Sequence, residues 1–200
     1  MSLSIKQAAA GAMPALLQPW TPRGGAVVWL TGLSGAGKST LAALVQRRLQ
    51  DSGQRSFFLD GDQLRQGLCS DLGFSAADRR ENLRRAAELC QLLVDAGHIV
   101  LAAFISPSHD DRAMVRDTIR RGEFIEVYCN ASLSTCEQRD VKGLYARARR
   151  GEIPNFTGIS APYDVPETPN LELPTGSCTV DDAVHRLIDL LVRRGIALPL

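Results

Sequence analysis

The chain has few cysteines, almost no net charge and no long apolar run, and each shortage removes a class of function. Its five cysteines are odd in number, with no Cys-x-x-Cys pair and no histidine at zinc spacing. That excludes a disulfide framework and a structural zinc site, and predicts buried free thiols that pack as small hydrophobes. With 23 Lys+Arg against 22 Asp+Glu the net charge is +1, so no overall basic field exists to draw the chain to nucleic acid or to a membrane, and any anion site must be local. No apolar run approaches the ~20 residues that cross a bilayer. The patch Ala8–Leu17 is broken by Pro14 and lacks the apolar core of a signal peptide. A cytoplasmic location is expected. What is present is 200 residues, 44% of them hydrophobic, enough for one domain that buries roughly 70% of its unfolded surface.

Residues 1–22 carry Pro14, Pro19 and Pro22 and little periodicity, and are expected to be a flexible lead-in, a tag or the stump of a linker, with the folded domain over 23–200. From Ala26 the pattern alternates. Short apolar strands are expected at 26–31, 55–59, 98–104, 124–129 and 171–173, and helices at 38–50, 75–96, 110–121, 133–139 and after Thr179. Ser75 with Asp78 three residues on is a helix N-cap signature, and Gly97 a stop. Between about 141 and 169 periodicity fails while Lys142, Arg147, Arg149 and Arg150 gather beside glycines and prolines, the mark of a functional loop. Alternating strands and helices predict an α/β fold: a doubly wound, mostly parallel sheet with helices on both faces, its ligand at the carboxyl ends of the strands.

Gly32-Leu33-Ser34-Gly35-Ala36-Gly37-Lys38-Ser39 satisfies G-x-x-x-x-G-K-[ST] directly after an apolar strand and at the opening of a helix, which is where a phosphate cradle has to be. Its backbone N–H groups turn in on phosphates, Lys38 reaches the β and γ groups, and the Ser39 hydroxyl suits Mg²⁺. The motif implies a nucleoside triphosphate without saying what is done with it. No N-K-x-D guanine reader occurs, so ATP is favoured. The third and fourth strands end in Phe104-Ile105-Ser106 and Cys129-Asn130 instead of aspartate, so the carboxylate expected on the metal side must come from elsewhere. Phe57-Phe58-Leu59-Asp60-Gly61-Asp62 supplies it: Asp60 suits the metal and its waters, and Asp62 suits a group that orients an acceptor hydroxyl and takes its proton. An Asp-Gly turn with Asp62 as helix N-cap is a compatible reading of the same residues.

Beyond the cradle, Leu59-Asp60-Gly61-Asp62, Asp71-Leu72-Gly73-Phe74-Ser75-Ala76-Ala77-Asp78-Arg79, Glu81-Asn82-Leu83-Arg84-Arg85, Ala103-Phe104-Ile105-Ser106-Pro107, Lys142-Gly143-Leu144-Tyr145 and Asn155-Phe156-Thr157-Gly158-Ile159 follow in order. Together with the cradle, including Thr40, they resemble the adenylylsulfate (APS) kinases. The resemblance implies a P-loop kinase that phosphorylates the 3′-hydroxyl of adenosine 5′-phosphosulfate with MgATP, giving 3′-phosphoadenosine 5′-phosphosulfate in sulfate activation. It implies a homodimer and an association or fusion with ATP sulfurylase. On the same basis Phe74 and Phe156 sandwich the substrate adenine, and Arg65, Arg79 and Asn82 hold phosphosulfate and ribose. Ile105, Ser106 and Leu144 belong to the substrate site, Lys142 reaches from a lid over 141–169 to the transferring phosphate, and Arg139 lies against the ATP adenine.

Two points qualify the resemblance. Ser106 matches a serine assigned in the family as a phosphoserine intermediate, yet no histidine lies near it in sequence to activate it, so direct in-line transfer is expected, with Ser106 hydrogen-bonding the substrate. Val141 stands where a proline is usual, and Ser108-His109 replaces a more usual pair. Two other readings remain open: a P-loop kinase for a nucleoside monophosphate or a sugar acid, and a non-catalytic nucleotide- or APS-sensing domain.

Overall fold

A computed structural model of the chain describes residues 25–119 and 123–198. The expected lead-in over 1–22 and the end of the helix expected over 110–121 lie outside these residues. In chain order the elements are β1 (Ala26–Thr31), α1 (Lys38–Asp51), β2 (Ser56–Asp60), α2 (Gly61–Leu64), α3 (Ala76–Asp95), β3 (Ile99–Ala103), α4 (His109–Thr118), β4 (Glu123–Cys129), α5 (Leu133–Arg139), α6 (Leu144–Arg149), β5 (Leu171–Leu173) and α7 (Val180–Arg193).

The five strands form one sheet in the order β2-β3-β1-β4-β5, and every pairing is parallel. β1 is central and wholly buried, which is why it reads as an unbroken apolar run. Its side chains divide between two cores. Val28 and Leu30 pack with Leu41, Val45 and Leu49 of α1 and Leu187 and Leu191 of α7, whereas Val27 and Trp29 pack with Leu83, Ala87 and Cys90 of α3. β3 and β4 leave β1 on opposite sides, so strand order reverses at its carboxyl end and opens a crevice there.

Local chemistry sets the helix ends. The Ser75 hydroxyl accepts from Asp78 N, Ser132 from Thr135 N and Thr179 from Asp182 N, each starting a helix. α7 has Asp181 and Asp182 in its first turn and Arg193 in its last, matching the helix dipole. α4 ends earlier than its periodicity suggests, because Ile119 turns extended.

Two expectations need correction. The stretch 141–169 is not wholly irregular: α6 lies within it, and six residues are too short to display a helical period. The N-cap of the helix after β2 is Asp60, whose carboxylate accepts from Asp62 N, while Asp62 sits in the first turn and leaves its side chain for the crevice.

Among the described residues all five cysteines are free thiols, four of them buried. Burial pushes the Cys90 and Cys129 thiols up to about 12, which leaves them inert.

Candidate active site

A cleft of about 1300 Å³ opens at the carboxyl end of the sheet. Along its floor runs the turn from β1 into α1. Gly32 has φ +143°, and a Cβ there would lie 2.6 Å from the Cys129 carbonyl oxygen, so only glycine lets the loop pass this close to β4. Lys38 sits at the first turn of α1 and donates to the carbonyls of Gly32 (2.8 Å) and Leu33 (2.7 Å). Desolvation lowers its pKa to about 8, against an opposing pull from Cys129, Cys136 and Asp60.

On the adjoining wall, the Ser39 hydroxyl donates to Asp60 Oδ2 at 2.6 Å. A hydroxyl and a carboxylate paired beside a phosphate cradle suit Mg²⁺, which takes one or two protein groups and fills its remaining positions with phosphate oxygens and water. Among the described residues no cluster of three or more His, Cys, Asp or Glu side chains gathers that could hold a metal ion.

Lys142 reaches across the mouth of the cleft and makes an ion pair with Asp62. Both side chains are more than half exposed, so the pair adds little to stability, ~0–1 kcal/mol, and leaves the two groups free to meet a ligand. The segment bearing Lys142 is clipped to the cradle: Tyr145 Oη donates to Ser34 O (2.9 Å), and the Asp140 carboxylate accepts from Tyr145 N and Ala146 N. Arg139 joins the cradle to the loop before α7 through Gly35 O (3.1 Å) and Thr175 O (2.7 Å).

The far wall is built from α3 and the loop at 155–157. Phe74 is 66% exposed, with the Arg65 guanidinium 4.5 Å from its ring centroid. Arg79 donates to the Phe74 carbonyl (3.0 Å), Thr157 Oγ1 (3.2 Å) and the Asn155 carbonyl (2.7 Å). Burial and the Arg65 charge lower its pKa. Asn82 is buried, and its Oδ1 has no hydrogen-bond partner. A buried acceptor left alone is costly, which points to a donor that arrives with a ligand. Phe156 is buried where Phe74 is exposed. It is 8% exposed and packs edge-on against Tyr145 at 5.0 Å, while one side still lines the cleft.

Ser106 ends the turn after β3 with φ 39°. Its hydroxyl accepts from Trp29 Nε1 (3.1 Å) and donates to Thr31 Oγ1 (3.0 Å).

The cleft thus gathers Ser34, Gly35, Gly37, Lys38, Ser39, Thr40, Asp60, Asp62, Arg65, Phe74, Arg79, Asn82, Ile105, Ser106, Arg139, Lys142, Leu144 and Phe156 on one surface. Three residues expected at the nucleotide stand apart from it. Gly32 and Ala36 are buried in the turn, and Leu33 faces a second groove, against Gly158. Sequence reasoning gave no role to Trp29, Thr31 and Asp140, and quoted Tyr145 only as part of a motif. Partners of Trp29, Thr31 and Tyr145 lie up to 132 residues away, as with Thr31 and Tyr163, and no local pattern reports such pairs.

The family model described as adenylylsulphate kinase matches residues 24–174. The chain belongs to the adenylylsulphate kinase family. It is 56% identical over 174 residues to an adenylyl-sulfate kinase of Vibrio vulnificus, covering 87% of this chain and 84% of that one. Among solved structures, the APS kinase of Mycobacterium tuberculosis in complex with AMPPNP and APS is 50% identical with TM-score 0.81, over 84% of this chain and 98% of that one. The hexameric APS kinase of Thiobacillus denitrificans is 33% identical with TM-score 0.67, over 88% of this chain and 30% of that longer one. Membership of the adenylylsulphate kinase family accounts for the P-loop fold and for a kinase with a nucleotide site.

Proposed function

We propose that this protein transfers the γ-phosphate of MgATP to the 3′-hydroxyl of adenosine 5′-phosphosulfate, releasing 3′-phosphoadenosine 5′-phosphosulfate and ADP in sulfate activation. The observation that carries this reading is the meeting of Asp62 and Lys142 between a phosphate cradle on one side and an aromatic, arginine-lined slot on the other.

ATP phosphates lie along the loop 32–39, where Lys38 turns from the Gly32 and Leu33 carbonyls onto the β and γ groups. Arg139 flanks the base. Ser39 and Asp60, directly or through water, would hold Mg²⁺, which would supply positive charge against the ATP phosphates. In the acceptor slot Phe74 and Phe156 face the adenine, Arg65 and Arg79 are at hand for the phosphosulfate, and the unpartnered Asn82 oxygen takes a donor from the nucleoside. Ile105 and Leu144 fill the apolar edges.

The acceptor hydroxyl gives its proton to the Asp62 carboxylate as its oxygen bonds to the γ-phosphorus, and the bond from that phosphorus to the β,γ-bridging oxygen breaks, with ADP leaving. Lys142, released from Asp62, steadies the charge on the transferring group. Ser106 acts as a hydrogen-bonding neighbour of the substrate. Its hydroxyl already serves Trp29 and Thr31 and has no base beside it, which favours direct transfer over a phosphoserine.

A homodimer belongs to the same reading and is checked by light scattering, with the hexamer of the longer Thiobacillus relative as the competing outcome. So do association or fusion with ATP sulfurylase and a cytoplasmic location. Among the described residues no helix is long and apolar enough to cross a membrane.

The test is ADP release with MgATP and APS, beside AMP, CMP, shikimate and gluconate as alternative acceptors, in wild type and Asp62→Asn. Turnover with APS alone is expected, reduced about 10²–10⁴-fold in the variant. Turnover with another acceptor instead overturns the substrate. APS binding without turnover makes the chain a sensing domain.

A further inference from the structure

Arg112 lies outside the cleft and is 3% exposed, the most deeply buried cation among the described residues. It sits on α4, one helical turn from the helix start, and its guanidinium joins four parts of the chain. Nη1 donates to the Ser106 carbonyl (2.8 Å), and Nη2 donates to the Asp164 carbonyl (2.8 Å) and to His109 Nδ1 (3.0 Å). Nε lies 3.0 Å from Oε1 of Glu126, a buried carboxylate of β4. A charge removed from water this completely is retained only where it is paired and hydrogen-bonded.

What Arg112 grips is unusual. Ser106 (φ 39°) and Asn155 (φ 54°) are the two non-glycine residues in the left-handed region among the described residues, Asp140 at φ 17° falling just short of it, and such a conformation costs energy and persists only when the surroundings enforce it. The carbonyl of each accepts from an arginine, Ser106 from Arg112 and Asn155 from Arg79. At Ser106 the side chain is fixed as well, by Trp29 and Thr31. The second segment held by Arg112 is the far end of the 141–169 stretch. There Asp164 N donates to the Pro107 carbonyl (2.8 Å), and Asp164 Oδ2 accepts from His109 N (3.2 Å).

We propose that Arg112 is a positioning residue for the phosphoryl acceptor: it holds Ile105–Ser106 at the acceptor slot in a strained turn and ties that turn to the distal root of the lid. The inference rests on the reading of APS as acceptor. Arg112 itself touches neither nucleotide nor metal.

Steady-state kinetics of Arg112→Lys test it, since lysine keeps the charge opposite Glu126 but cannot span the Ser106 and Asp164 carbonyls together. KM for APS is expected to rise tenfold or more, with KM for MgATP within twofold of wild type. In a Trp20→Phe background the emission of Trp29, which donates to Ser106, shifts with the same substitution. Unchanged KM for APS, an equal rise for both substrates, or an unmoved Trp29 spectrum overturns the proposal. Should Arg112→Lys fail to fold, Asp164→Ala decides: it loosens the same junction from its half-exposed side, and about a threefold rise in KM for APS is expected, whereas no rise overturns the proposal. Wild-type protein that makes no ADP from APS overturns the functional reading instead, and the Trp29 signal then still reports whether Arg112 holds Ser106.

Discussion

A lysine stripped of water has a weakened hold on its proton, and Lys38 shows how a binding site exploits that. With its pKa lowered to about 8 chiefly by burial, it is about half protonated at pH 8, whereas triphosphate drawn against it restores full charge. Nucleotide binding at pH 8 is therefore expected to take up about half a proton. Titration calorimetry in two buffers of different ionisation enthalpy measures this, and the uptake should vanish in Lys38→Met. A binding enthalpy that does not depend on the buffer contradicts the assignment. In the unliganded protein the sign follows from linkage. The unfolded chain binds this proton more tightly than the folded one, so Lys38 costs stability below about pH 8, and the cost is relieved as pH rises toward 10.5. Lys38, Ser39, Asp60 and Asp62 were legible because each lies in a short string whose chemistry is local. The cap was misplaced between Asp60 and Asp62 since both fit an Asp-Gly turn, and only the donation from Asp62 N to Asp60 Oδ1 distinguishes them. Asn82 was legible only through the family resemblance, because the physical sign of its role is a buried oxygen left without a donor, which no local pattern shows.

At the scale of elements, the strands and long helices were readable since period and caps agree, as at Ser75 with Asp78 and Thr179 with Asp182. The lid was read as a basic loop, and its internal order escaped because six residues show no helical period and because its fastening to the cradle depends on a distant partner. α6 starts on the Asp140 carboxylate, buries Tyr145 and Ala148, and is fastened to the cradle by the Tyr145 hydroxyl. Phe156 joins this packing instead of standing free. Tyr145→Phe removes one neutral hydrogen bond, worth ~1 kcal/mol, while keeping the ring against Phe156. The lid should then open about fivefold more often. Limited trypsin digestion checks this, because Arg149 and Arg150 are exposed in the same helix and turn: the cut should come about fivefold faster, with the thermal midpoint of the whole chain little changed. Equal cleavage rates would mean that the Tyr145 hydroxyl does not hold the lid.

The whole molecule depends on how closely its central strand meets the helix behind it. β1 carries the cradle at its carboxyl end, so the packing at its amino end sets the height of the cradle without touching any ligand. Gly25, at the entry to β1, lies under the end of α3: a Cβ there would come 2.6 Å from the Val94 carbonyl oxygen and 2.8 Å from that of His98. Both obstacles are backbone, so neither can swing aside as a long side chain would, and Gly25→Ala must push α3 and the sheet apart. Overpacking of this kind costs ~1–3 kcal/mol, or about 2–4 °C of thermal midpoint per kcal/mol in a chain of this size. Gly67→Ala is the matched control, since nothing lies within 4 Å of the added atom and the midpoint should stay within about 1–2 °C of wild type, as for ordinary surface changes. Thermal denaturation with parallel kinetics separates packing from chemistry: Gly25→Ala should melt several degrees lower while KM for MgATP holds, because the cradle moves with β1 as a unit. A wild-type midpoint in Gly25→Ala would show that α3 yields freely there. A raised KM for MgATP would show that strain at the amino end of β1 travels along the strand to the phosphate loop.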